Sequence, residues 1–344
     1  VNKKFEEIFR YETDLRLPKD INYLTSLSGG IDSSTLVFFI SKLKDKTKTI
    51  FGISDNSQEK KEQGYSELET SYYVAKKLNS DHNHIYLNTQ ECLDDLNFFA
   101  SNGFDGCIDP AVTNFSGLSS YAKKNNFKVM LFSDGVDELL GGYEADIEAN
   151  KIDRIVKLIK SQKLIKFLLK FDLIKKSLTN ILKLKKNKDM EFSYDPIYFR
   201  VNHSVCPNKF LKTIINDYDI NKQFDYGKID SIYKELVPKM DYSQLRALNY
   251  VSKSIPDMFS LRLDKSSMRH SIEVRLPFLS IRLVEFFIAM PGKYRFRNGK
   301  GKYFLRKFVE SFVDNIISKR PKKGMGNYLW ATQEVRKNIN FEKK

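Results

Sequence analysis

The sequence is poor in the residues that bind metals and staple small folds. Three cysteines, Cys92, Cys107 and Cys206, stand far apart among 344 residues and are odd in number. No disulfide framework is written into such spacing, and reduced thiols in a cytoplasmic setting are expected. Neither the cysteines nor the four histidines, His82, His84, His203 and His270, show metal-ligand spacing. His82 and His84 would share one side of a strand, but with no Cys partner a zinc site is not expected there. No apolar run reaches the length of a membrane span, and the start does not read as a signal peptide. Internal repeats and low-complexity linkers are absent too.

What is present describes a folded chain. Hydrophobic content of 41% with 13% aromatics is that of a folded protein. The length suffices for one large domain or two ordinary ones. A formal charge of +15 suggests nucleic acid until it is mapped. Residues 151–190 hold 13 Lys or Arg against 3 Asp or Glu and so carry +10 of that charge. Lysines there recur every three or four residues between Ile, Leu and Phe up to Lys186, the pattern of basic amphipathic helices. A solvated helical insertion is the expectation for 151–186, with peripheral contact to a membrane surface or an acidic partner as the alternative. Nucleic acid is not favoured as a partner.

Up to about Gly142 short apolar strands alternate with helical stretches. Strands are expected at 21–25, 49–54, 84–87 and 128–132, and helices at 66–78 and 115–125. Such alternation predicts an α/β fold, a parallel twisted sheet flanked by helices with ligand at the C-terminal strand ends. From Tyr242 to Phe312 helical periodicity returns, broken by a polar stretch at 264–279, so the C-terminal half is expected to be mostly helical.

Two motifs fall on that expected rim. The first is Ser26-Leu27-Ser28-Gly29-Gly30-Ile31-Asp32-Ser33-Ser34, between a strand and an apolar helix face. A helix N-terminus after a Ser/Gly turn offers free N–H groups and the positive dipole end to phosphate. Gly29 and Gly30 permit close backbone approach. Ser28, Ser33 and Ser34 add hydroxyl donors, and Asp32 can hold magnesium against phosphates. A capped turn of no function uses similar residues. The loop has neither the Gly-Lys-Ser/Thr ending of a Walker loop nor the dinucleotide G-x-G-x-x-G. The second motif, Ser133-Asp134-Gly135-Val136-Asp137-Glu138, puts three carboxylates in five residues. They repel unless a cation or proton stands between them. Magnesium beside a triphosphate is one answer, an acidic helix N-terminus another.

The first motif resembles the PP-loop, SGGxDS, of the N-type ATP pyrophosphatases. Residues 133–143 resemble the G-[ED]-G-x-D-E-L-F-G-G-Y of the asparagine synthetase family, with Ser133 in place of the first Gly. Asp264 to Leu279 is similar to that family's D-R-x-S-M-x-x-S-x-E-x-R-x-P-F-L-D, with Ser280 where the final Asp is expected. Gly301 to Arg306 and Arg320 to Gly324 are similar to its G-K-x-x-L-R and R-x-K-x-G. The four blocks run in family order from about Phe5 to Trp330. Within the third, Glu273 and Arg275 would share one side of a strand. An ion-pair network locking the helical half onto the sheet is expected there at least as much as contact with substrate.

The resemblance implies an adenine nucleotide α-hydrolase-like fold and a synthetase domain over residues 1–335. It is divided into a nucleotide-binding core (1–145), the basic helical insertion (146–190) and a helical substrate half (191–335). A glutaminase domain is expected to be absent. The implied cofactors are ATP and Mg2+. Asp32 and Asp137 match the family's magnesium ligands, and Ser28, Gly29, Gly30, Ser33 and Ser34 its pyrophosphate cradle. Gly52, Ile53 and Ser54 match its adenosine contacts, with Ser133 and Gly135 also on the nucleotide. Asp134 matches an acidic position linked to catalysis after adenylation, one methylene shorter than the Glu of several relatives. Lys322 matches a lysine that stabilises charge on the acyl-adenylate. The implied reaction is amide formation on a small-molecule or peptide carboxylate, with release of AMP and pyrophosphate. Ammonia supplies the nitrogen, from a glutaminase that is either truncated from this sequence or a separate chain, or an internal amine does, as in β-lactam synthetase and lasso-peptide cyclases. A PP-loop enzyme modifying tRNA is the alternative.

Overall fold

The computed structural model describes residues 1–54, 66–102, 111–144, 146–147, 150–151, 235–236 and 239–320. Apart from Lys151, the basic stretch to Lys186 therefore lies outside the described residues. The chain opens with α1 (Asn2–Arg16), which buries Phe5 and Phe9, one turn apart on a single face. Next come β1 (Tyr23–Ser26), α2 (Ile31–Ser41), β2 (Lys48–Ser54), α3 (Glu67–Lys77) and β3 (Asp81–Leu87). They are followed by α4 (Thr89–Ser101), α5 (Ala111–Lys124), β4 (Val129–Leu131) and α6 (Val136–Leu140). α3 is set by a complete capping box: Ser66 Oγ accepts from Glu69 N at 3.0 Å while Glu69 accepts from Ser66 N at 2.6 Å.

After α7 (Tyr242–Asn249), residues Tyr250–Ser260 wind as a π-helix with Pro256 inside it, and run into α8 (Leu261–Met268). Extended π winding is rare and concentrates at functional sites. Then come β5 (Glu273–Arg275), a 3₁₀ turn at Pro277–Leu279, α9 (Ile281–Ala289), α10 (Gly292–Arg295), α11 (Tyr303–Val309) and α12 (Asn315–Lys319). None of the helices among the described residues is long and apolar enough to cross a membrane.

Among the described residues five strands run parallel, in the order β3-β2-β1-β4-β5. Parallel strands need covered crossovers, which the intervening helices supply. The expected α/β fold with a parallel sheet is what forms, and the described residues from 235 to 320 are mostly helical. One strand was not foreseen. β5 pairs with β4 in the register Val129↔Glu273 to Leu131↔Arg275, inside the stretch that reads as a polar interruption of helices.

The chain divides into two compact units. The first joins Val1–Asp137 to Val251–Phe287 and the chain from Tyr303 onward. One layer of its core packs α5 and α8 on the sheet through Leu24, Ile50, Phe115, Met130 and Leu263. The other is aromatic: Phe5 meets Phe9, Phe39, Phe287, Phe304 and Phe308 with ring centroids 5.0–5.8 Å apart. The second unit comprises Glu138–Tyr250 and Ile288–Lys302. Its described part buries Leu139, Leu140, Leu245 and Phe296 together with a set of polar groups. Asp241 caps α7 through Gln244 N at 3.1 Å and accepts from Gly292 N at 2.6 Å. Arg295, 1% exposed, donates to the carbonyls of Met290, Leu139 and Ile288.

Candidate active site

The strand order sets the site. β1 and β4 are direct neighbours, yet the chain leaves β1 toward β2 and β3 before crossing back to β4. Between such strands lies the topological switch point at which open α/β sheets bind ligand. The first motif follows β1 and the second follows β4, so two segments about a hundred residues apart in sequence emerge side by side.

The first motif is a tightly built turn. Gly29 has φ +73°, and a Cβ there would stand 2.7 Å from the Thr70 carbonyl carbon and 2.8 Å from Ser71 N. Glycine is required both for the left-handed backbone and for the approach of α3. Ser28 and Ser33 lock the turn across its mouth. Their hydroxyls lie 3.1 Å apart, Ser33 Oγ accepts from Ser28 N at 3.2 Å, and Ser28 Oγ accepts from Gly30 N at 3.3 Å. Gly30 is the N-cap of α2, extended at φ −73° and ψ 165° and without a side-chain cap. The first N–H groups of α2 therefore depend on a partner other than a cap. Asp32 lies in that first turn, and the Ser34 hydroxyl is buried without a hydrogen-bond partner among the described residues.

The second motif turns sharply at Gly135, φ +97°, where a Cβ would collide with Leu279 Cδ2 at 2.2 Å. Ser133 and Asp134 are half-buried just before it. Asp134 Oδ1 faces Arg262 Nη2 at 3.7 Å, and Arg262 stacks over Phe259 and Phe115. Asp137 is half-buried in the first turn of α6. Arg306, on α11, is coupled electrostatically to both carboxylates. Burial holds its guanidinium below the ordinary arginine value, while the charges of Asp32 and Asp137 both pull it back up. One guanidinium thus feels two carboxylates 105 positions apart in sequence. Arg306 Nη1 also donates to the carbonyls of Ser318 and Arg320 at 2.6 and 2.8 Å.

Gly52, Ile53 and Ser54 end β2, beside β1. Gly52 is bare because Asn114 Oδ1 of α5 presses on it, 2.7 Å from where a Cβ would be. Ile53 is 3% exposed, so its side chain belongs to the core. Lys322 lies outside the described residues. The pairing expected for Glu273 and Arg275 takes a different form. They bond each other at 2.8 Å with Glu273 59% exposed, and Arg275 reaches the Arg16 carbonyl at 2.8 Å. This is a pair at the sheet edge with one exposed partner, not a buried network: β5 is an edge strand whose Glu273 faces water while Arg275 is half-buried.

Arg262, Arg306 and Arg320 were not singled out from the sequence. Each stands in or beside a motif block, but nothing in spacing distinguishes an arginine aimed at a carboxylate from a solvated one.

Two carboxylates sharing a rim with a helix N-terminus are a hard-oxygen donor set that suits magnesium, which completes its shell with phosphate and water. Among the described residues no group of three or more His, Cys, Asp or Glu side chains forms a protein-only metal cage. The residues present fit a metal held jointly with phosphate.

Comparison with known proteins agrees with the motifs. The sequence model for asparagine synthase matches residues 4–340. A glutamine-hydrolysing asparagine synthetase of Bacillus subtilis is 24% identical over 331 residues, covering 94% of this chain and 49% of that protein. A putative glutamine-hydrolysing asparagine synthetase of Methanocaldococcus jannaschii is 24% identical over 270 residues, covering 74% and 46% respectively. The chain thus spans about half the length of the curated relatives it matches. Among solved structures, an ammonia-dependent NAD synthetase of Campylobacter jejuni matches 80% of this chain and 98% of its own at 16% identity. Its TM-score of 0.31 is too low to support any inference. With the family match spanning nearly every residue and its motifs meeting on one rim, the chain belongs to the asparagine synthase family.

Proposed function

We propose that this chain is an ATP-dependent carbon–nitrogen ligase that activates a carboxylate by adenylation. The observation that supports it most is that the motifs carrying Asp32 and Asp137 follow β1 and β4, neighbouring strands at the switch point, with the charges of both carboxylates acting on Arg306. A carboxylate oxygen of the substrate attacks the α-phosphorus of ATP, the bond to the bridging oxygen of the β-phosphate breaks, and pyrophosphate leaves. The amine or ammonia nitrogen then attacks the acyl carbon, the C–O bond to AMP breaks, and the nitrogen loses a proton. Gly29 and Gly30 bring backbone close to the leaving pyrophosphate, and the first turn of α2 directs its N–H groups there. Asp32 and Asp137 would hold magnesium, which neutralises charge on the departing group. Asp134, which faces Arg262, is assigned to the second step. Lys322 is assigned the oxyanion of the acyl-adenylate and of the tetrahedral species that follows.

The nitrogen source and the acyl group are proposals at the same level. Ammonia delivered by a glutaminase, as the names of the two curated relatives suggest, is the first, and an amine of the substrate itself is the second. The test is the product ratio. Incubation with Mg·ATP and candidate carboxylates should release AMP and pyrophosphate, with Asp32→Asn and Asp137→Asn each lowering the rate by 10²-fold or more. ADP and inorganic phosphate as products would sink the reading. Lys322→Ala should collapse turnover while leaving ATP affinity nearly intact, because a cation aimed at charge that appears late lowers kcat and not ground-state binding.

A further inference from the structure

α12 is only five residues long, yet it is pinned to α3 at both ends. At its start Tyr73 OH donates to Asp314, the N-cap, and at its end Arg320 Nη1 donates to Thr70 Oγ1. Tyr73 and Thr70 are three residues apart on α3 and so face the same way. Thr70 is 1% exposed, and the backbone at Thr70–Ser71 is the wall that Gly29 packs against. Arg306 fixes the far side of this brace, binding the carbonyls of Ser318 and Arg320 where α12 ends. A helix end leaves such carbonyls without partners, and an arginine there can serve stability alone. Two facts go further. The residue that Arg306 holds is the one that reaches Thr70, and Arg306 itself lies within electrostatic reach of the carboxylates on the other side of the same loop.

We propose that Arg306 is a positioning residue of the phosphate loop. It sets the end of α12 so that this helix braces α3 against Gly29, and it brings a positive charge to bear on Asp32 in the loop and on Asp137. The loop then keeps a shape fitted to the β- and γ-phosphates before nucleotide arrives. The phosphate end of the ligand, not the adenosine end assigned to β2, is the part it acts on. This inference rests on the ATP reading above and names the residue that prepares that site.

The experiment measures binding by calorimetry, with Mg2+ and the non-cleavable analogue α,β-methylene-ATP, and separately with AMP. Arg306→Met should weaken the magnesium–analogue complex about ten-fold or more while AMP affinity stays within about two-fold. Arg306→Lys should recover part of the loss, since it keeps the charge but not the paired carbonyl contacts. A purely structural arginine would move both ligands together or neither, and either result overturns the proposal. Should Arg306→Met fail to fold, Thr70→Val decides: it keeps the side-chain shape, removes the acceptor of Arg320, and should weaken the analogue three- to five-fold but not AMP. An unchanged analogue affinity in that variant sinks the brace. Wild-type protein that binds AMP but not the magnesium–analogue complex refutes the ATP reading, and the inference falls with it. Wild-type binding with unaltered variants refutes the inference alone.

Discussion

The two compact units are held by different forces. In the first, cohesion is apolar: rings from α1, α2, α9 and α11 surround Phe5, which is 0% exposed. In the second, the described residues bury charge. Asp146 and Arg246 pair at 2.6 Å with side chains 3% and 7% exposed. Tyr250 OH accepts from Arg246 at 2.9 Å and donates to Asp146 at 3.3 Å. Burial, reinforced by the Asp146 charge, pushes the Tyr250 hydroxyl well above its ordinary value and keeps it a neutral donor. Arg295 is lowered by burial to about 10, with Asp241 and Asp146 opposing the shift, so it stays charged at neutral pH. An apolar core loses stability by degrees when trimmed, whereas a buried ion pair fails when one partner goes, because the other is stranded.

The largest effect should therefore come from the second unit. Arg246→Met leaves Asp146 buried with its principal cation removed, and the expected loss is about 3–5 kcal/mol in urea unfolding. The double variant Arg246→Met with Asp146→Leu should regain most of that loss, since replacing both charges by apolar groups is often neutral. Additive losses in the double variant would mean the pair is not the cohesive element. In the first unit, Phe5→Leu keeps an apolar group among the surrounding rings and should cost about 2 kcal/mol. A Phe5→Leu penalty as large as that of Arg246→Met would erase the distinction between the units.

A smaller effect depends on pH. His82 sits between Thr49 Oγ1 and Ser71 Oγ, each 2.9 Å from a ring nitrogen. Burial, helped by the charge of His84, lowers it to about 4. A histidine with a depressed folded value contributes no penalty above its unfolded value near 6.5. Below that pH the unfolded chain takes up a proton that the folded one refuses, so stability is lost as pH falls from about 6.5 toward 4. With solvent screening of a partly exposed ring, the loss by pH 4 should be about 1–2 kcal/mol. His82→Gln removes this term. The stability gap between wild type and variant, followed by thermal melting, should shift in favour of the variant as pH drops from 7 to 4.5. A gap that stays constant would show that His82 protonates freely in the fold.

Much of the first unit was legible because parallel strands are short apolar runs between helical patterns. Those strands end in the two motifs, and the pairing of β1 with β4 brings the motifs side by side. The boundaries moved by a few residues: the third strand begins at Asp81, in the polar run before His84, because it pairs with β2 residue by residue from Lys48↔Asp81. β5 was hidden for a physical reason. It has three residues with one apolar side chain, and only its pairing with β4 makes it a strand. Arg306 was hidden for another: its partners, Asp32, Asp137 and the Ser318 and Arg320 carbonyls, come from three separate stretches of chain. Charge convergence of that kind is a property of topology, not of a local pattern. The polar network of the second unit was invisible for the same cause, Asp146 and Arg246 being a hundred positions apart.

The smallest expected effect returns to charge, now exposed. Glu273 and Arg275 form an ion pair at 2.8 Å, close in length to that of Asp146 and Arg246, but on an edge strand with Glu273 59% exposed. Water screens both groups, and holding two long side chains together costs entropy that offsets the attraction. Glu273→Gln should therefore change stability by no more than about 0.5 kcal/mol. Arg275→Ala should cost more, about 1 kcal/mol, because Arg275 Nη1 also donates to the Arg16 carbonyl at the end of α1. The pair Glu273→Gln and Arg246→Met thus puts similar ionic contacts at opposite extremes of burial. If Glu273→Gln destabilised the fold by several kcal/mol, exposure would not be what separates them, and β5 would carry the locking role that the sequence suggested for it.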